Sequence, residues 1–133
     1  MAAIRRPLTI GLIGYGAIGR VHALGYRAIP FHYDLDEEKI KIVAVATSNQ
    51  TTAKHAARQI GCELFFSDYR QLIARNDIDI IDCCLPNYLH EDVILRAADN
   101  GKHIYCEKPL ACTVEEGARM LSAVESAGVT SQI

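Results

Sequence analysis

Two kinds of hydrophobic pattern alternate along the chain. The first is a short, continuous apolar run, as expected of a parallel strand covered on both faces. It occurs at "LTIGLIG" (Leu8–Gly14), "IKIVAVAT" (Ile40–Thr47), "ELFF" (Glu63–Phe66), "IDIIDCCLP" (Ile78–Pro86) and "HIYCE" (His103–Glu107), and it begins again at "VTSQI" (Val129–Ile133). The second is helical spacing, which predicts helices over Ala17–Ile29, Thr51–Gly61, Ser67 or Asp68 to about Arg75, Leu89–Gly101 and Thr113–Gly128. The punctuation agrees with these limits. Thr51 or Thr52 can cap the second helix and Gly61 stop it, Asn100-Gly101 closes the fourth, and Thr113 with Glu116 three residues on matches a capping box.

Strict β/α alternation implies right-handed crossovers and a parallel sheet with helices on both faces. The expected fold class is therefore α/β, a Rossmann-type doubly wound sheet in three layers. The 133 residues fit one domain. No repeat or low-complexity tract interrupts them. The one irregular stretch is "PFHYDLDEEK" (Pro30–Lys39), which is longer than most such connections and reads as a loop with a solvated acidic run at Asp34–Glu38.

"GYGAIG" adds chemistry to the first strand-to-helix turn. Gly14, Gly16 and Gly19 form a full GxGxxG after a buried strand and before a helix, which is the context that makes the motif meaningful. Gly14 permits the tight turn, Gly16 lets a pyrophosphate approach the backbone, and Gly19 lets helix and sheet pack closely. The N–H groups around Ala17 and Ile18 then face an anion at the helix start. A dinucleotide site usually carries an acid at the end of the second strand, for the adenine ribose hydroxyls. Here that strand ends in Thr47, Ser48 and Asn49, after a gap longer than the usual one of about 20 residues. Without the acid, a 2′-phosphate meets no repulsion, and Lys54 or Arg58 could assist it. The cofactor expectation is therefore NADP or NAD, with NADP first. The plainer alternative is that these residues only cap the next helix.

Ligands of doubly wound sheets sit beyond the carboxyl ends of the strands. The fourth strand ends at Leu85-Pro86, and Asn87 and His90 follow near the next helix start. Read alone, Asn87 is an N-cap or a groove residue, and His90 a surface helix residue or a groove residue. The fifth strand ends at Glu107-Lys108-Pro109, on the same edge as the glycine turn.

Composition narrows the classes. Half the residues are apolar and 23% are charged, enough for a core, and the net charge of −2 gives no field for nucleic acid. No run reaches the roughly 18 apolar residues of a membrane span. The N-terminal Arg5-Arg6 leads into a first strand rather than a signal peptide. Five cysteines, without CxxC or zinc spacing, read as reduced small hydrophobes in a cytoplasmic protein, with no metal site.

Nearly the whole chain resembles the N-terminal half of the Gfo/Idh/MocA oxidoreductases, the glucose–fructose oxidoreductase and inositol dehydrogenase family. The resemblance is carried by "IGLIGYGAIGRVHA" and by the spacing from Pro86-Asn87-x-x-His90 through Gly101-Lys102-His103 to Glu107-Lys108-Pro109-Leu110. It implies an NAD(P)-binding domain in which Lys108 is the catalytic or substrate-orienting group. Glu107 positions the cofactor or the lysine, and Asn87, His90 and Pro109 belong to the cofactor groove. It also implies a second domain, absent from this sequence, that completes a pocket for a small-molecule substrate such as a sugar or cyclitol and joins subunits of a homo-oligomer. On this view the chain is a truncated domain. The alternative is a nucleotide-sensing module without chemistry of its own.

Overall fold

The computed structural model describes residues 6–34 and 39–133. Its strands are β1 (Leu8–Ile13), β2 (Ile40–Ala46), β3 (Leu64–Phe66), β4 (Ile80–Cys83), β5 (His103–Cys106) and β6 (Ser131–Gln132). They pair in parallel, in the order β3-β2-β1-β4-β5-β6. The chain runs outward from β1 to β3, then returns to start again at β4. The direction therefore reverses between β1 and β4, which is where a doubly wound sheet opens its crevice.

The helices are α1 (Ala17–Tyr33), α2 (Gln50–Ile60), α3 (Tyr69–Ile73), α4 (His90–Asp99) and α5 (Val114–Ala127). Two cores flank the sheet, as continuously apolar strands require. Ala23 of α1 and Ala56 and Ala57 of α2 pack on Ile10, Leu12 and Val45. Leu72, Val93, Ala97 and Met120, from α3, α4 and α5, pack on Ile13, Ile81 and Ile104. Alanines on α2 bring that helix close to the sheet. On β1, a side chain at Gly11 would collide with Leu72, so this glycine is fixed by packing.

Several boundaries differ from expectation for local reasons. Helix α1 runs through Pro30 to Tyr33 instead of ending at Ile29. Proline removes one donor but keeps its acceptor, and its fixed φ suits a helix. Asp34 then closes the turn in the left-handed region, its N–H donating to the Pro30 carbonyl. The first five residues of the expected loop are thus helix or its cap, and 35–38 of the acidic run lie outside the described residues. Asn49, not Thr51 or Thr52, caps α2: its Oδ1 accepts from the Thr52 N–H at 2.9 Å. Gly61 stops that helix as expected, with φ 84°. Asp68 caps α3, and Thr113 accepts from the Glu116 N–H ahead of α5. The Glu116 carboxylate reaches the Cys112 N–H, one residue before the cap. Of the cysteines, Cys62, Cys83 and Cys106 are buried as expected, but Cys112 is exposed.

Two charges hold the amino edge of the sheet. Arg6 donates two hydrogen bonds to Asp79, at 2.8 and 2.6 Å, and Thr9 adds its N–H. The Arg6 guanidinium first, then the Thr9 donors, bring the Asp79 carboxyl down to about 2 against the opposing effect of burial. A depressed carboxyl stabilises the fold above its ordinary value of 3.8, and the contribution fades as pH falls towards about 2. With screening at the exposed Arg6, Asp79→Asn should cost about 1 kcal/mol at pH 7. Urea unfolding of the two proteins should converge near pH 2.

Lys102 is buried, its ammonium donating to the carbonyls of Arg75 at 2.5 Å and Ile78 at 2.8 Å. Burial lowers its pKa. Lys102→Met keeps the stem but strands both acceptors, so it should lower unfolding stability by about 2 kcal/mol in the same assay.

Candidate functional site

The carboxyl ends of five strands are in register. Phe66 pairs with Ala46, Ala46 with Ile13, Ile13 with Cys83 and Cys83 with Cys106. The next residue of each strand therefore stands on one edge. Thr47, Gly14, Cys84 and Glu107 follow one another across it, spanning three strand spacings or about 14 Å. The backbone sews the row together. The N–H of Gly14 donates to Ala46, that of Cys84 to Ile13 and that of Glu107 to Cys83, all at 2.8–2.9 Å.

A cleft of about 570 Å³ opens over the β2, β1 and β4 part of this edge. Eight predicted residues line it: Gly14, Gly16, Ala17, Ile18, Thr47, Ser48, Leu85 and Pro86. Tyr15, Arg20, Thr52, His55 and Cys84 also line it. Arg20 directly follows the GxGxxG and lies over the Tyr15 ring at 5.3 Å, so its place was readable from the motif. His55 lies one helical turn into α2 and had no signal beyond that spacing.

The glycines divide by what demands them. Gly14 has φ +91°, and a Cβ there would lie 2.8 Å from the Cys84 carbonyl oxygen. A Cβ on Gly19 would collide with the Gly14 carbonyl. Packing therefore fixes both. Among the described residues, nothing lies within 4 Å of a Cβ at Gly16. No side chain caps α1 at Gly16, and no acid stands in its first turn. The uncapped, unopposed helix start and the open space above Gly16 fit a bound pyrophosphate.

The β2 end behaves partly as a cap. The Asn49 side chain accepts from the Thr52 N–H, and the Thr47 and Thr52 hydroxyls lie 2.6 Å apart and each 3.1 Å from the Asn49 carbonyl, so that one donates to the other and the second to the carbonyl. Lys54 and Arg58 line a neighbouring hollow with Gln50, Thr51 and His55, outside the main cleft.

The groove residues after β4 also differ from expectation. Asn87 makes no capping bond; it opens a short 3₁₀ turn, Asn87–Leu89, that follows Pro86. His90 is buried, neither on the surface nor facing the cleft. Its Nδ1 meets the Leu110 carbonyl at 3.0 Å and its Nε2 the Leu85 carbonyl at 2.7 Å. It ties the cleft wall to the segment after Lys108-Pro109, whose peptide bond is cis.

Beyond the cleft, at the β5 end, the Lys108 side chain is exposed and has no hydrogen-bond or ion-pair partner among the described residues. Glu107 is held on both oxygens. Oε1 meets His22 Nε2 at 2.9 Å, and Oε2 accepts from the Lys108 N–H at 3.2 Å. Behind it His22 Nδ1 lies 3.0 and 2.9 Å from the two oxygens of Asp82, a fully buried acid that also accepts from the Tyr26 hydroxyl at 2.9 Å. Burial pushes up the pKa of Tyr26, and the Asp82 charge adds to it. The sequence reading assigned nothing to His22, Tyr26 or Asp82. A lone acid in an apolar strand was the only signal, because a buried carboxylate requires partners.

The 3-2-1-4-5-6 order, the switch-point cleft and the anion-ready glycine turn define a dinucleotide-binding Rossmann domain. Residues 8–133 match the model of the Gfo/Idh/MocA oxidoreductase family, NAD-binding Rossmann fold, and the chain belongs to that family. It is 40% identical over 127 residues to levoglucosan dehydrogenase of Pseudarthrobacter phenanthrenivorans, covering 95% of this chain and 32% of that protein. To scyllo-inositol 2-dehydrogenase (NAD(+)) of Bacillus subtilis it is 30% identical, covering 92% of this chain and 34% of that one. A solved structure of levoglucosan dehydrogenase in complex with NADH superposes with a TM-score of 0.89 at 38% identity, over 95% of this chain and 34% of that one. The chain spans about a third of the length of the curated relatives it matches. Among the described residues, no helix is long and apolar enough to cross a membrane.

Proposed function

We propose that this domain binds a nicotinamide dinucleotide along the carboxyl edge and, within a longer protein, helps move a hydride between it and a hydroxyl-bearing carbon of a sugar or cyclitol. The cofactor, when bound, supplies the hydride chemistry. The chain's own residues bind and orient. Gly14, Gly16, Ala17, Ile18 and Gly19 form the pyrophosphate cradle. Thr47, Ser48 and Asn49 bound the adenosine end, and Leu85, Pro86 and Asn87 form the far wall. His90 acts from behind that wall, joining Leu85 to the segment that follows Pro109.

The observation that carries this reading is the strand register, which sets Glu107-Lys108 about 14 Å along one edge from Thr47. That span suits an extended dinucleotide, with the ammonium of Lys108 at the reactive end. Lys108 holds the reacting oxygen and stabilises negative charge that develops there. Its exposed ammonium, without a partner among the described residues, favours this reading over a nucleotide sensor, which has no use for it. A second domain completes the substrate pocket and the subunit contacts.

For the cofactor we read NAD ahead of NADP, the reverse of the sequence expectation. Asn49 and the two threonine hydroxyls are engaged in the α2 cap, and Lys54 and Arg58 face a separate hollow. The levoglucosan dehydrogenase relative is described with NADH. Titrating the folded 133-residue chain with NADH and NADPH, followed by nicotinamide fluorescence, tests this. Tighter binding of NADH is expected. Binding of neither by folded protein removes the cofactor assignment, and tighter binding of NADPH restores the earlier order.

A further inference from the structure

His22 lies between two carboxylates from different parts of the fold. Asp82 comes from inside β4, Glu107 from just beyond β5, and the histidine reaches them from α1. The groups facing its ring are Asp82, Glu107, the Cys84 thiol at 3.4 Å, Tyr26, which shares Asp82, and Tyr105, whose ring stacks on it at 5.1 Å. No cationic side chain bonds to the ring among the described residues.

We propose that His22 is a positioning residue that couples the buried Asp82 carboxylate to Glu107, and through Glu107 to the backbone amide of Lys108. The functional meaning rests on Lys108 working at the reactive end of the cofactor; the coupling itself does not.

The argument is a count of donors. A protonated ring has two N–H groups, one for each carboxylate, whereas a neutral ring has one. When the ring loses a proton to solvent, the remaining N–H stays on Nδ1. Asp82 has no access to water, so losing one of its donors costs it more than the same loss costs the partly exposed Glu107. The Nε2 lone pair then faces Glu107 Oε1 with no proton between them. Glu107 turns away, and its Oε2 leaves the Lys108 N–H. Charge on His22 thus holds the lysine's backbone, and loss of that charge releases it.

The direction of titration agrees. Burial alone would lower the His22 pKa, but the bonds and charges of Asp82 and Glu107 outweigh it, and the net shift is upward. Burial raises Asp82 as well, against the pull of its three donors, so both members of the pair retain protons to higher pH. A raised histidine stabilises fully below its ordinary value of 6.5 and loses that contribution as pH rises through the raised one. The clamp is therefore closed below 6.5 and opens as pH rises through the raised midpoint.

Nitrogen-15 NMR of the 133-residue chain tests this without cofactor. The His22 ring signals and the Lys108 amide should titrate together, with one midpoint above 6.5. In His22→Gln, which keeps one donor but does not titrate, that Lys108 step should vanish. Should this variant not fold, Tyr26→Phe takes its place. It strips a donor from Asp82, so the His22 and Lys108 midpoints should rise together. A Lys108 amide that ignores the His22 transition overturns the proposal. So does a step that persists in folded His22→Gln, or midpoints that separate in Tyr26→Phe. An NADH titration of the same samples keeps the two ideas apart: failure to bind NADH removes the cofactor reading, and failure of co-titration removes only the coupling.

Discussion

Gly16→Val should leave the fold unchanged and abolish cofactor binding. Gly16 has φ −79° and ψ −158°, an extended conformation open to any residue, and its Cβ would touch nothing among the described residues within 4 Å. Thermal stability should therefore stay within about 0.5 kcal/mol of the wild type. The space it would fill is the approach to the α1 N-terminus. The NADH dissociation constant should rise by at least about 100-fold, or roughly 2.7 kcal/mol. Gly19→Ala is the contrast. Its methyl meets the Gly14 carbonyl, which is backbone and cannot swing aside, so about 3 kcal/mol of stability should be lost along with binding. Melting curves and nicotinamide fluorescence on the two variants separate a glycine kept for a ligand from one kept for packing. Normal NADH affinity in Gly16→Val would remove the pyrophosphate cradle from this turn.

If the proposed role holds, Lys108→Ala in a longer protein that carries this domain should cut the hydride-transfer rate by roughly 100- to 1,000-fold, the usual cost of removing one group that stabilises developing charge. The fold should not respond, because the side chain is exposed and has no partner among the described residues. Affinity for NADH should change little, since the proposed cradle and cleft walls do not include the Lys108 side chain. Lys108→Arg should rescue poorly: the charge survives, but a planar guanidinium cannot occupy the position of a compact ammonium. Single-turnover rates with separately measured NADH affinity distinguish this from weakened binding. An unchanged rate in Lys108→Ala would leave the lysine as a bystander.

Much of this was legible in the chain because it is local. Runs such as Ile40–Ala46 carry their strand character in consecutive residues. GxGxxG carries its turn in six positions, and Gly61 and Thr113 end or begin helices within one turn of themselves. The parallel order follows too, since strict β/α alternation leaves few other topologies. Errors arose where two local rules competed. Helical spacing predicts an end at Ile29, yet α1 continues through Pro30 to Tyr33 and its Asp34 cap, despite the donor Pro30 loses and its clash with the carbonyl four residues back. Asn49 and Thr52 both had capping chemistry, and only the geometry of the β2 exit decided between them.

The sequence by itself thus determined the strands, the glycine turn and the edge on which Lys108 emerges, because each depends on residues close in the chain. Tertiary structure alone decided what stands behind that lysine. Asp82 meets His22 across 60 positions of sequence, and His22 meets Glu107 across 85. His90 is turned inward to hold Leu85 and Leu110 together, although its helical neighbours Glu91 and Asp92 are partly exposed. Such contacts leave no periodicity or spacing to read. They exist because a polar group shut away from water must take whichever partner the packed fold brings within reach.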